Sequence, residues 1–329
     1  FMERFPHFRK RRMIMSLQNK FNLSNKEYDV VLIGEVLIDK IYDESKNSIV
    51  SIMGGSTANI AVNLKHLGQN PIFIGAVGND TFGTDILKKF EKNGIDTKNI
   101  FVSNDKTSYV KIDKNVESPD PEFHRISDYK IHYDDNIKSI IKNSKILHFS
   151  YWPLSIEPAK TTILKTIEIA RKNNVLIGFD PNYHIDLDPN GGLSIGEILE
   201  VIGKVDIIKP SLDDSERLFG KGLSITDYIQ KYLDLGCKLV IMTLGKEGLI
   251  ASYKGDIVIM PSLATEVVDS TGAGDAFWGG FYSGIITNES IYSSLKLGSL
   301  CSAYNLKKVG AFNEFPSLIQ LKKELKIGE

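Results

Sequence analysis

The feature that most constrains this chain is an alternation. Apolar runs of strand length, "YDVVLIGE", "PIFIGAVG", "KILHFSYW", "VLIGFDPN", "VDIIKP" and "CKLVIMTLG", are interleaved with segments of helical period, among them "GSTANIAVNLKHLG", "TFGTDILKKFEKNG" and "EPAKTTILKTIEIARKNN". A strand apolar at nearly every position needs cover on both faces, which a half-solvated antiparallel sheet does not offer. Strand–helix alternation with right-handed crossovers predicts a Rossmann-like α/β fold: a largely parallel central sheet with helices on both faces. The strand C-terminal ends then share one edge, where ligands bind in such sheets. Polar groups and glycines collect there: Glu35 and Asp39, Gly78-Asn79-Asp80, Tyr151-Trp152, Asp180-Pro181-Asn182, Lys209-Pro210-Ser211 and Thr243-Leu244-Gly245.

Two segments break the alternation. "DKIYDESKNSIVSIMGG", with a polar turn at Glu44 to Asn47, and "TSYVKIDKNVESPDPEFHRIS", with a turn at Ser118 to Pro121, read as hairpins. They predict a small β-sheet lid over the ligand edge, drawn from about 39–54 and 105–127, and through it a homodimer. Residues 1–26 open with the basic stretch "FMERFPHFRKRRMIM" and are expected to form a disordered arm outside the fold, with Met13 or Met15 as a native start. Residues 27–329 read as a single domain.

Composition excludes more than it assigns. A net charge of -1 over 329 residues gives no bulk attraction for nucleic acid. Cys237 and Cys301 stand alone, so neither a disulfide framework nor a zinc site is expected. No apolar run has the length of a membrane span, and the expectation is a cytoplasmic protein.

The chemistry concentrates in "DSTGAGDAFWGG", Asp269 to Gly280, read as a turn between a short strand "TEVVD" and a helix. Small residues leading into a helix start converge amide N–H groups on one point, which suits phosphate. The stretch is no P-loop, having no lysine, and no dinucleotide fingerprint, since Phe277 stands where the third small residue belongs. Asp275 is the discriminating residue. Its position alone is explained by the helix macrodipole. Beside bound phosphate, a carboxylate can also take the proton of an attacking hydroxyl.

"DSTGAGDAFWGGF" resembles the C-terminal motif of the ribokinase-like (PfkB) carbohydrate kinases, and "MGGSTANIAVNLKHLGQNPIFIGAVGNDTFG" resembles their N-terminal motif. The resemblance runs from "YDVVLIGE" to "KKVGAFNEFP", nearly the whole chain, and makes residues 27–329 a kinase domain of this type. It implies that Asp275 is the catalytic base and that Gly272, Ala273 and Gly274 form the anion hole. It places a monovalent cation, potassium in many members, near Asp269 and Thr271. It implies ATP and Mg2+. "TLGKEG" resembles the nucleotide-phosphate turn, giving Thr243, Gly245, Lys246 and Gly248 as nucleotide-binding; Lys246 either touches phosphate or is a solvated loop lysine. Asn305, on the last helix, is placed at the adenine pocket. Asp39, Gly54, Gly55 and Asn59 match the sugar-binding positions, and Arg125 matches a lid arginine that meets hydroxyls or a carboxylate.

One motif departs from the pattern. Where the family carries N-x-x-E near metal and phosphates, "KPSLDDSE" has Ser211 and Asp214. Asp214 keeps the charge on a shorter arm, and a magnesium that retains waters tolerates the change. "GEVLID", "HFSYWPLS" and "FDPNYH" resemble fructokinases and 2-keto-3-deoxygluconate kinases, with His184 in place of a frequent arginine. Fructose is the first expectation for the sugar, then 2-keto-3-deoxygluconate or ribose. A phosphorylated sugar ranks last, because it calls for further cationic groups. The reading of another class, a non-catalytic sugar- or nucleotide-binding relative, is opposed by the presence of base and anion hole together.

Overall fold

The computed structural model describes residues 16–43, 48–113, 121–187, 192–311 and 314–328. The strands are β1 Tyr28–Ile33, β2 Leu37–Asp43, β3 Ser48–Gly54, β4 Pro71–Gly78, β5 Ile100–Ser103, β6 Tyr109–Asp113, β7 Glu122–His124, β8 Ser144–Ser150, β9 Leu176–Asp180, β10 Ile207–Ile208, β11 Leu239–Thr243, β12 Leu249–Tyr253 and β13 Asp256–Met260. The helices are α1 Ser56–His66, α2 Thr81–Lys92, α3 Asp135–Lys142, α4 Ala159–Lys172, α5 Ile195–Ile202, α6 Leu212–Phe219, α7 Ile225–Leu235, α8 Ala273–Ile286, α9 Ile291–Leu306 and α10 Leu318–Glu324.

A nine-stranded sheet runs in the order β13-β12-β11-β10-β9-β8-β1-β4-β5. Its pairings from β11 through to β5 are parallel, and its β11–β12–β13 edge is antiparallel. The chain builds outward from β1 to β4 and β5, then returns to build β8 onward on the other side. Strand order therefore reverses at β1, and the crevice of a switch point opens there. Alternate residues of β1 serve opposite cores, as the pleat requires. Val31 and Ile33 pack with α3, α4, α5 and α7 on one face. Val30 and Leu32 pack with α1, α2 and α8 on the other.

The lid is a separate four-stranded sheet, β3-β2-β6-β7. Both predicted hairpins are present as antiparallel pairs, β2 with β3 and β6 with β7, joined by a parallel β2–β6 pairing. The turn at Glu44 to Asn47, and that at Ser118 to Pro121 up to Asp120, lie outside the described residues. So do residues 1–15 of the expected arm. Leu17, within that arm, is buried, and the Phe21 ring stands edge-on to Tyr253.

One local expectation changes. "TEVVD" forms no strand: Val267 and Val268 are 64% and 52% exposed, and the segment crosses the surface without a strand partner. β12 and β13 form a further hairpin. Its two-residue turn, Lys254-Gly255, has both φ angles positive, 50° and 83°, as a type I′ hairpin turn requires. Among the described residues no helix is long and apolar enough to cross a membrane.

Candidate active site

Asp275 is the third residue of α8. The helix is entered through Gly272, whose φ of 74° is left-handed and whose Cβ, if it had one, would meet Ala311 at 2.4 Å. Only glycine satisfies both demands. In the first turn the Ala273 N–H donates to the Ser270 carbonyl at 3.2 Å. Helix geometry leaves the Gly274 and Asp275 amides without an intrahelical acceptor.

The Asp275 carboxylate is held from α1. Ser56 Oγ donates to Oδ1 at 2.6 Å, and Asn59 Nδ2 donates to Oδ2 at 2.7 Å. Burial pushes its pKa up to about 6; the Ser56 and Asn59 hydrogen bonds oppose the rise, Asp180 adds to it, and Lys209 opposes it. At neutral pH the group is mostly ionised, with a proton affinity far closer to neutrality than an exposed aspartate has.

Lys209 stands opposite. It follows β10 and is buried, its Nζ 2.9 Å from Asp180 Oδ2. Trp278 Nε1 donates to the same oxygen at 2.8 Å. A cation is thereby fixed in a low-dielectric setting, where it acts strongly on any nearby anion.

Two cavities meet at this point. One, of about 430 Å³, is lined by Leu249, Leu263, Val267, Phe277, Ala303 and Leu306, and at its mouth by Thr243, Gly245, Lys246 and Gly248. The other, of about 380 Å³, is polar and lined by Asn59, Asp180, Asp213, Asp214, Thr271 and Asp275 among others. Lys209, Thr243 and Gly274 belong to both. The arrangement suits a nucleobase in the apolar cavity, phosphates at the junction and a hydroxylated acceptor beside Asp275. Among the described residues no three His, Cys, Asp or Glu side chains cluster as a metal cage. Asp180, Asp213 and Asp214 all line the polar cavity, and a magnesium ion that comes with phosphates and keeps several waters needs only one or two of them.

The model of the pfkB family of carbohydrate kinases matches residues 28–318. The chain belongs to that family. This kinase is 44% identical over 314 residues to an ATP-dependent 6-phosphofructokinase of Thermoanaerobacterium thermosaccharolyticum, covering 94% of this chain and 97% of that one. It is 29% identical over 318 residues to a 5-dehydro-2-deoxygluconokinase of Clostridium perfringens, covering 92% and 94%. Among solved structures, the fructokinase of Halothermothrix orenii superposes with a TM-score of 0.74 at 35% identity, covering 85% of this kinase and 99% of that chain.

Most of the expected site residues line the two cavities, whereas Asp39, Gly54, Gly55, Arg125, Asp269 and Asn305 line neither. Gly272, Gly274 and Asp275 line the polar cavity, as do Ser211 and Asp214, while Ala273 lines the apolar one. Ser211 and Asp214 cap α6 reciprocally, and Asp214 Oδ1 also accepts the Tyr183 N–H at 2.9 Å. Burial raises the Asp214 pKa. Asp39 lies against Gly54, where a Cβ would come within 2.1 Å of its Oδ2. Burial, then the Asp275 charge, push the Asp39 pKa up to about 6. Gly55 immediately precedes α1 with a φ of 111°. Asp269 accepts the Thr271 and Gly310 amides at 2.9 and 2.8 Å, closing the turn before α8.

Two expectations need correction. Asn305 lines neither cavity: it is fully buried, and its Nδ2 donates to the Thr271 carbonyl at 2.7 Å, so it braces the glycine turn from behind. Nor is it on the last helix, since α10 follows α9. Arg125 is neither a surface residue nor a free ligand. Its side chain is 4% exposed and ion-paired with Asp128 at 2.6 Å, and it also donates to Ser155 Oγ and the Trp152 and Leu187 carbonyls. Four of its five donors fasten the lid's base to the body. Ser56, Asp180, Asn182, Lys209, Asp213 and Arg217 also line the polar cavity, and the sequence alone gives none of them a role: Ser56 lies within the N-terminal motif, and Asp180, Asn182 and Lys209 stand just past strand ends.

Proposed function

We propose that this kinase transfers the γ-phosphoryl group of ATP to a primary hydroxyl of a ketohexose, fructose first. The observation that carries the reading is Asp275: a half-buried, twice-anchored carboxylate in the polar cavity, one residue from Gly274 where that cavity meets the apolar one, beside a fixed lysine and helix amides that lack an intrahelical acceptor. Asp275 takes the proton of the sugar hydroxyl as its oxygen attacks the γ-phosphorus. The Gly274 and Asp275 amides, with Lys209, meet the charge on the phosphoryl oxygens. Asp39 and Asn59 accept and donate to sugar hydroxyls. Asp180 and Asp214 would hold a magnesium ion, which supplies charge neutralisation on the phosphates. The family's monovalent-cation position at Asp269 and Thr271 is kept as part of the same proposal.

Free fructose is supported by two paired lid cations, Arg125 with Asp128 and Lys111 with Glu122, whereas Lys40, over the Tyr109 ring, keeps its charge. The second reading is fructose 6-phosphate, favoured by the 44% identical 6-phosphofructokinase. ADP release over a panel of fructose, fructose 6-phosphate, ribose and keto-deoxy sugar acids tests both. Turnover confined to the phosphorylated sugar selects the second, and turnover with no sugar defeats the kinase reading. The exposed Ile49 and Val50 of β3 support the homodimer through the lid. A monomer by light scattering would end that part of the proposal.

A further inference from the structure

Glu35 is a second buried carboxyl beside the base. It follows β1 at the switch point and is 2% exposed. Its Oε2 accepts the Ser150 hydroxyl and its Oε1 accepts the Ser56 backbone N–H, each at 2.9 Å. α1 begins after Gly55, which has no side chain to cap it. The Ser56 N–H is one of that helix's orphan donors, and Glu35 satisfies it from outside the helix. Two further contacts lock the same junction. Thr57 Oγ1 donates to the Glu35 carbonyl at 3.1 Å, and a Cβ on Gly55 would lie 2.5 Å from that carbonyl oxygen.

Ser56 thus joins the two carboxyls. Its main chain is held by Glu35, and its hydroxyl donates to Asp275 Oδ1 at 2.6 Å. With Asn59 on Oδ2, two donors from one helix fix the plane of the Asp275 carboxylate and leave its remaining lone pairs toward the cavity. Burial pushes the Glu35 pKa up to about 7, its hydrogen bonds oppose the rise, and the Asp275 charge adds to it. Keeping such a group buried is costly, and nothing in phosphoryl transfer itself calls for it.

We propose that Ser56 positions the Asp275 carboxylate for proton abstraction and that Glu35 sets Ser56 for this task. Both are positioning residues that act through Asp275, so the proposal rests on reading Asp275 as the base. A base displaced by about 1 Å loses on the order of a hundredfold in rate.

The test is ADP release by the full chain with its best acceptor, for Ser56→Ala, Ser56→Thr, Glu35→Gln, Glu35→Ala and Asp275→Asn. Ser56→Ala is expected to lower kcat by roughly tenfold to a hundredfold, with KM for sugar and ATP within about twofold of the starting values. Ser56→Thr restores the hydroxyl and recovers most of the loss. Glu35→Gln keeps an acceptor for the Ser56 N–H and loses less than Glu35→Ala. The Glu35→Ala, Ser56→Ala double variant is no slower than the worse single, because both act along one path. Three results would overturn the proposal: Ser56→Ala with kcat intact, a kcat loss that Thr does not recover, or a raised sugar KM at unchanged kcat, which marks Ser56 as a direct sugar ligand. Asp275→Asn separates the two readings. If it turns over, the base assignment fails; if it is dead while Ser56→Ala is fully active, only the positioning role fails.

Discussion

The Lys209 ammonium lies 2.9 Å from Oδ2 of Asp180, and both groups line the polar cavity that holds Asp275. The pair is buried, and the same Asp180 oxygen accepts the Trp278 N–H. A lysine tethered on one side still offers its other N–H bonds and most of its field to phosphates at the cavity junction. Lys209→Met is therefore expected to lower kcat on the order of a hundredfold to a thousandfold, the usual cost of removing one charge-stabilising donor. Steady-state ADP release checks this. A loss below about threefold would place Lys209 in the fold and outside the chemistry.

The pH profile follows from Asp275. Its pKa is raised, to about 6, chiefly by burial. A base works only when ionised, so kcat/KM is expected to be flat above about pH 7 and to fall about tenfold per unit well below pH 6. Asp39, at about 6, and Glu35, at about 7, face the same group and broaden the limb. Lys209 opposes the rise at Asp275, so Lys209→Met moves the acidic limb to higher pH. Residual kcat/KM plotted from pH 5 to 8 tests the sign. A profile still flat down to pH 5, as an exposed aspartate titrating near pH 4 would give, would contradict the burial argument.

Arg125 and Asp128 are expected to matter for stability more than for catalysis. Their side chains are 4% and 0% exposed, and Asp128 Oδ2 also accepts the Trp152 indole N–H. Arg125→Met leaves a buried carboxylate without its cation, at a cost of about 3–5 kcal/mol. Adding Asp128→Leu removes the unpaired charge and recovers part of that loss. Urea unfolding of the single and double variants measures it, and equal stabilities for wild type and Arg125→Met would refute the account.

What the sequence disclosed depended on whether a residue's role was local. The sheet was legible because β1, β4 and β8 are apolar on both faces, a pattern that few other folds accept. Asp275 was legible because the glycine turn before it is contiguous with it. Ser56 was not, since its partner lies 219 residues away and a serine at a helix start reads as an ordinary cap. Lys209 follows a two-residue strand, and nothing local gives it a role until β9 brings Asp180 to it. Resemblance gives Asn305 and Arg125 ligand roles, but their side chains are engaged elsewhere, one with the turn before α8 and one at the base of the lid. "TEVVD" shows the reverse error: β-branched residues suggested a strand where none has a partner.

The central claim is that Asp275 is the base that activates the acceptor hydroxyl, and Asp275→Asn tests it most directly. Asparagine keeps the shape, while its amide has no basicity at neutral pH. The measurement is ADP release with the best acceptor from the sugar panel, alongside ATP binding by calorimetry. The account predicts a fall in kcat on the order of a hundredfold to ten-thousandfold with ATP affinity nearly unchanged. Turnover retained within about tenfold of the starting enzyme, with ATP still bound, would contradict it.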